Sequence, residues 1–277
     1  VFPRLPSGFL LGTIAGMLIL TLLRTRLRHV GTVLILATVT VTWFMTPQKT
    51  GEVLISEDGR FVAVLTEQGD ELTLAVNRAR PPGFIFDQWK PVLGIDAALP
   101  PTMLALGELP PAPDWRLGET WTAAQQTEAV AILDRMIAAT EEKHFVCIKQ
   151  ACALKISTRH RLVAIDRPEL VGAACDRATL VVLAARTRLQ RCRSGAALIS
   201  QTSLRTTGAL EIFGLNETRG ALTIRPSFDG AARPWTAHRL YDWRTATSLA
   251  DHTVIPPFVQ GTDQPAPPAD KISDSVE

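Results

Sequence analysis

The sequence predicts an α+β fold: two N-terminal transmembrane helices followed by a mixed α/β domain. The first 50 of 277 residues hold almost all of the strongly apolar sequence. Beyond them, short apolar runs bounded by Gly, Asp and Pro turns read as strands. One amphipathic stretch at helical spacing interrupts those strands, and the order strands, helix, strands is that of an α+β domain. With 46% apolar and 20% charged residues and a mean hydropathy of +0.13, the chain is not disordered, collagen-like or coiled-coil over most of its length. The net charge of +2, from 29 Lys+Arg against 27 Asp+Glu, argues neither for nor against a nucleic-acid partner.

The membrane segment is expected over residues 1–50. Leu5 to Leu23 gives 19 residues without a charge and Val30 to Thr46 another 17, at the short end of what crosses a hydrocarbon core. Trp43 and Phe44 suit an interface, Pro47 suits a stop, and Thr32, Thr38, Thr40 and Thr42 make the second span the weaker. The connector carries Arg24, Arg26 and Arg28, which keeps it cytoplasmic and sends everything after Pro47 to the periplasm of a bacterium. The alternative is a secretory signal followed by a buried element, but no small-residue cleavage site follows Leu23. Val1 reads as the continuation of a longer polytopic chain or as a non-standard start.

Residues 51–257 form the expected periplasmic domain. Val53 to Ser56, Phe61 to Leu65 and Leu72 to Val76 are strands joined by the turns at Asp58-Gly59 and Gly69-Asp70. Residues 81–118, rich in Pro and Gly, read as an irregular surface loop, part of it a mobile insertion. Trp121 to Glu142 is the amphipathic helix, with Ala129, Ile132, Leu133, Met136 and Ile137 on its apolar face. Strands follow at 145–148, 153–156, 162–165, 180–184, 197–200, 209–213 and 221–225, with a short helix opening at Pro168. Residues 258–277, polar and Pro-rich, read as a disordered tail.

All four cysteines, Cys147, Cys152, Cys175 and Cys192, lie in the outward part, where an oxidising compartment lets them pair. The spacing of Cys147 and Cys152 suits a bridge across a tight hairpin, which leaves Cys175 with Cys192. Four cysteines allow three connectivities, and a single zinc ion held by four thiolates is the rival reading.

Charge is segregated along the chain. Residues 51–142 carry 6 Lys+Arg against 15 Asp+Glu, and residues 144–193 carry 10 against 3. Lys149, Lys155, Arg159, Arg161, Arg186, Arg188, Arg191 and Arg193 are therefore candidate DNA contacts, a face that tracks phosphates. The competing reading docks this basic half on the acidic half of the same domain. Phe145 is the one aromatic residue available there for stacking. The histidines His29, His144, His160, His238 and His252 form no metal motif, and there is no phosphate loop or nucleophile elbow. No catalytic, metal or cofactor residues are assigned, and no cofactor is expected.

Taken together, the residues resemble the C-terminal part of ComEC-type competence proteins, the DNA-internalisation family of the bacterial inner membrane, in its alphaproteobacterial form. The resemblance rests on several segments in order. They are the arginine connector at 22–28, Glu52 to Val64, Phe86 to Trp89, Phe145 to Cys152, Leu162 to Ile165, Cys175-Asp176, Cys192 and Arg233-Pro234-Trp235. It implies a multi-pass inner-membrane location, a single DNA strand, the lipid bilayer and the remaining channel helices or other competence proteins as partners, and DNA uptake as the process. It further implies a degenerate metallo-β-lactamase-like domain, with Val53 to Val64 as opening strands and Ser203 to Ile212 as closing strands. The family's His-x-His-x-Asp-His metal motif is missing, so the expected role is non-catalytic: receiving or positioning DNA. The alternatives are a membrane-anchored structural or protein-interaction domain and a residual metal-dependent hydrolase.

Overall fold

The computed structural model describes residues 7–23, 25–26, 28–45, 51–68, 71–95, 97–215, 223–228, 241–242 and 247–248. The chain divides into two compact units. One holds Val1–Thr50 with Phe86–Asp96, the other Gly51–Ile85 with Ala97–Glu277. The expected corner at Arg233-Pro234-Trp235, the Gly69-Asp70 turn and the tail lie outside the described residues.

In the first unit, α1 (Ser7–Leu22) and α2 (Arg28–Met45) pack against each other as a hairpin. Glycines set the approach. A Cβ at Gly16 would stand 2.9 Å from the Gly31 carbonyl oxygen, so the two backbones meet where neither has a side chain. Threonine hydroxyls are satisfied locally, Thr13 donating to Phe9 O, Thr38 to Leu34 O and Ile35 O, and Thr40 to Leu36 O.

The expected transmembrane pair is corrected here: among the described residues no helix is long and apolar enough to cross a membrane. Helix length and composition both fall short. Helix α1 has 16 residues, about 24 Å at the usual rise and short of a core of roughly 30 Å, and α2 spends its first turn on Arg28 and His29 and then interleaves threonines.

The second unit contains two mixed sheets. In chain order its first strands are β1 (Val53–Ile55), β2 (Val62–Gln68) and β3 (Glu71–Val76). Helix α3 (Gly83–Leu93) follows, with residues in both units. Next come β4 (Ala98–Leu99), β5 (Thr102–Met103) and α4 (Ala123–Ala138). Then β6 (Val146–Ile148), β7 (Ala151–Lys155), β8 (Arg161–Ile165), α5 (Val171–Arg177), β9 (Leu180–Leu183), β10 (Ala197–Ser200), α6 (Gln201–Thr207), β11 (Leu210–Phe213) and β12 (Thr223–Pro226) complete it. A separate pair, β13 (Tyr241–Asp242) and β14 (Thr247–Ser248), is antiparallel. The sheet orders are β12-β11-β1-β2-β3-β4 and β10-β9-β8-β7-β6-β5.

The expected α+β class thus becomes α/β, with two mixed sheets and six α-helices among the described residues: β8, β9 and β10 run parallel, with α5 crossing between β8 and β9. Strand β8 shows why. Leu162 and Ala164 join the core shared with the first sheet, while Val163 and Ile165 join the core under α4 and α5. A strand buried on both faces reads as a continuous apolar run, the pattern of a sheet covered on both sides. Helix α4 opens on a capping box, Thr122 with Gln125, and buries Ala129, Ile132, Leu133, Met136 and Ile137 on the outer face of that sheet. Arg177 grips Asp134 with two donors, joining α5 to α4, and that bond raises its pKa further.

Two sequence expectations change. Ser203 to Thr207, expected in a closing strand, belongs to α6, because Ser200 and Ser203 cap each other and Gly208 ends the helix at φ +70°. The Pro-rich stretch is not irregular throughout. It holds α3, β4 and β5, and Leu104, Leu106 and Leu109 pack onto the helix-side core.

Candidate functional site

A cleft of about 430 Å³ opens at one end of the second unit. Topology explains what meets there. The β1–β2 turn, the C-terminal end of β3, the β6–β7 turn and the C-terminal end of β8 all point to the same end of the paired sheets. Gly59, Arg78, Arg80, Met103, Lys149, Gln150, Asp166 and the cysteines Cys147 and Cys152 line the cleft.

Each wall is fixed by its own bonds. In the β1–β2 turn, Asp58 accepts from the Ser56 hydroxyl and the Arg60 amide, and Gly59 donates to Ser56 O at φ +70°. A Cβ at Gly59 would stand 3.0 Å from Leu204 Cδ1, so this tight seat against α6 needs glycine on both counts. Asn77 spans the turn, accepting from Val62 N and donating to Arg60 O, and Arg78 Nε donates to the same carbonyl at 2.9 Å. Arg78 is therefore held along its stem.

Opposite, Asp166 N donates to Gln150 O, and the Gln150 side chain accepts from Arg167. Arg167 is buried at 9% exposure. It also reaches Glu169 at 3.2 Å and Pro110 O at 3.1 Å, and stacks on the Trp121 ring, whose indole N–H donates to Pro111 O. One guanidinium thus binds the Pro-rich stretch to the cleft wall.

The electrostatics are mixed. Arg78, Arg80 and Lys149 are cationic, and Asp166 is the one carboxylate among the lining residues. Enclosure by protein raises the Asp166 pKa, opposed by Arg78 and Arg60 and assisted by Asp58. Lys149 lies 3.3 Å from Glu108, but both side chains are highly exposed, at 79% and 83%, so water competes well for that pair.

The eight candidate cations do not form one strip. Lys149 lines the cleft. Arg186 and Arg188 are exposed on the loop after β9, at the same end, with Thr187 tied to Thr202 at the start of α6. Lys155 and Arg161 are register partners at the far end of the β7–β8 hairpin, where Lys155 pairs with Glu142 at 3.4 Å and Arg161 reaches Arg177 O. Arg159 is exposed in that hairpin's turn, and Arg191 and Arg193 flank Cys192 before β10. Arg78 and Arg80 were missed because they belong to the acidic half by sequence; an Arg-x-Arg directly after a strand was the available signal.

The cysteines pair as Cys147 with Cys152 and Cys175 with Cys192. His144 Nε2 hydrogen-bonds Thr102 Oγ1 at 2.9 Å, and His160 is half-buried in the β7–β8 turn. Among the described residues no three of His, Cys, Asp and Glu gather as a metal set. His238 and His252 lie outside them. No family model matches the chain, and neither a curated protein nor a solved structure matches it.

Proposed function

We propose that this chain is a non-catalytic binding domain of an oxidising compartment, the bacterial periplasm, that receives a single DNA strand in the course of DNA uptake, as the resemblance to ComEC-type proteins implies. The observation that carries the reading is the cleft itself. Its cations Arg78, Arg80 and Lys149, with Gln150 as a neutral hydrogen-bonding side chain, offer a backbone-tracking surface with no need for base-specific contacts. Arg186 and Arg188 extend it along the same end. The two bridges support the compartment.

The test is single-stranded oligonucleotide binding by the full chain at several salt concentrations. The expected result is an affinity whose logarithm falls linearly with the logarithm of salt, by roughly 0.7 per phosphate contact. Absence of binding at low salt overturns the reading.

A second reading, a structural or protein-interaction domain, is favoured by the pairs Lys149–Glu108 and Lys155–Glu142, in which the basic and acidic halves meet. On that reading, neutralising these lysines lowers stability and leaves nothing else to lose.

A further inference from the structure

The two disulfides differ in their surroundings. Cys175–Cys192 lies in the helix-side core and fastens the long β9–β10 connection to α5, closing a separation of 17 residues. Cys147–Cys152 closes a separation of 5 between strands that are already paired, with the two cysteines directly opposite each other in the β6–β7 ladder. A bridge over so short a loop constrains the unfolded chain less. It also forms part of the wall of the cationic cleft.

The turn that it closes is Lys149-Gln150, and neither residue has a positive φ. Such a turn lacks the twist that makes two-residue hairpins self-supporting, so the bridge holds a turn that sequence alone would not. Gln150 is also the residue that receives Asp166 N and Arg167 Nη1. The carbonyl of Asn77 stands 3.3 Å from Cys152 Sγ and 3.7 Å from Cys147 Sγ. Bridged sulfurs have no proton to give, but either thiol, once formed, has an acceptor in place.

We infer that Cys147–Cys152 is a redox-exchange site, opened by small anionic thiols of the glutathione class that enter the cationic cleft. Cys152, at 8% exposure against 1% for Cys147, is the sulfur attacked. The incoming thiolate forms a bond to Cys152 Sγ as the Sγ–Sγ bond breaks, and Cys147 leaves as a thiolate that takes a proton from water. A second thiolate then attacks the thiol-derived sulfur of the mixed disulfide, and Cys152 leaves in turn. Two thiols are oxidised to one disulfide, and the bridge takes up the two electrons. Opening frees the Lys149-Gln150 turn and with it one wall of the cleft. The inference does not require that DNA bind there.

The experiment treats the native, fully oxidised full chain with reduced glutathione or with neutral 2-mercaptoethanol. New thiols are alkylated and located by mass spectrometry, and amide exchange is followed on the same samples. Expected are alkylated Cys147 and Cys152 with Cys175–Cys192 intact, faster amide exchange at Lys149 to Cys152, and a several-fold rate advantage for glutathione at equal thiolate concentration. That advantage shrinks in 0.5 M salt and in the Arg80→Gln/Lys149→Gln variant, which keeps the bridge. Thiols that appear only on unfolding, or first at Cys175 and Cys192, overturn the assignment. Equal rates for the two thiols overturn the role of the cations.

Discussion

The two ends of the paired sheets carry similar inventories and differ in what holds them. At the cleft end, Arg78, Arg80, Lys149 and Asp166 surround open space, and the stem of Arg78 is fixed by Arg60 O while Arg167 anchors the wall from behind. At the far end, Lys155 is paired with Glu142, and Arg161 leans on Arg177 O with its Nε buried and unpartnered. Lys149 and Lys155 are six positions apart in sequence, yet β7 carries the chain between them, roughly 20 Å at strand rise. A basic stretch in a sequence is thus dealt by each hairpin to opposite ends. Cations that share a run need not share a surface.

The largest expected difference is in stability. Arg167→Ala removes a buried guanidinium with four partners and leaves Glu169, Gln150 and Pro110 O to find water, so it should cost about 3 kcal/mol. Arg161→Ala, at the far end, should cost about 1 kcal/mol or less, because its side chain already leaves one donor unmet. Urea denaturation of both variants measures this, and equal losses would erase the distinction between an anchored and an unanchored end.

Binding should divide the ends next. Neutralising Arg80 and Lys149 together is expected to weaken single-stranded DNA binding by on the order of tenfold and to flatten the salt dependence by about 1.4 in slope, two contacts' worth. Arg191→Gln with Arg193→Gln, on the far side of the β9–β10 connection, should leave both quantities unchanged. Fluorescence anisotropy across a salt series decides. A larger loss from the Arg191/Arg193 pair would move the site to the other end.

The same contrast separates what the sequence made legible from what it did not. Strands β1, β2, β6, β8 and β10 and helix α4 stand out because their periodicity or apolar continuity is local. The cysteine connectivity stayed open among three pairings in the sequence, although the hairpin that joins Cys147 to Cys152 is itself local. The first helices were overread, because an uncharged run does not set helix length or apolar density: among the described residues α1 spans 16 residues, and α2 begins on Arg28 and His29 and interleaves threonines. The cleft was missed for the opposite reason. Arg78, Lys149 and Asp166 come from three separate hairpin or crossover ends, and only the pairing of β3, β6 and β8 in their sheets brings them together. Arg167 was invisible for the same reason, its partners lying as far away as Pro110.

The smallest expected effect concerns the one carboxylate of the cleft. Burial raises the Asp166 pKa in the folded chain, so the folded state holds that proton more tightly than the unfolded one. Its contribution to stability is full below the ordinary carboxylate pKa and is lost as pH rises through the raised value. Asp166→Asn should therefore be slightly stabilising near neutral pH. For an anionic ligand the sign is the same. Protonation removes the cleft's negative charge beside Arg78, Arg80 and Lys149, so affinity should climb a few-fold as pH falls through that range. In Asp166→Asn the affinity should already be high and flat over the same range. Asp58 also faces this carboxylate, but it accepts from Ser56 and Arg60 within its own turn, and Asp58→Asn keeps a side-chain acceptor there while removing one charge. Binding measured across pH in both variants decides: a pH dependence that survives unchanged in Asp166→Asn would remove this carboxylate from the account.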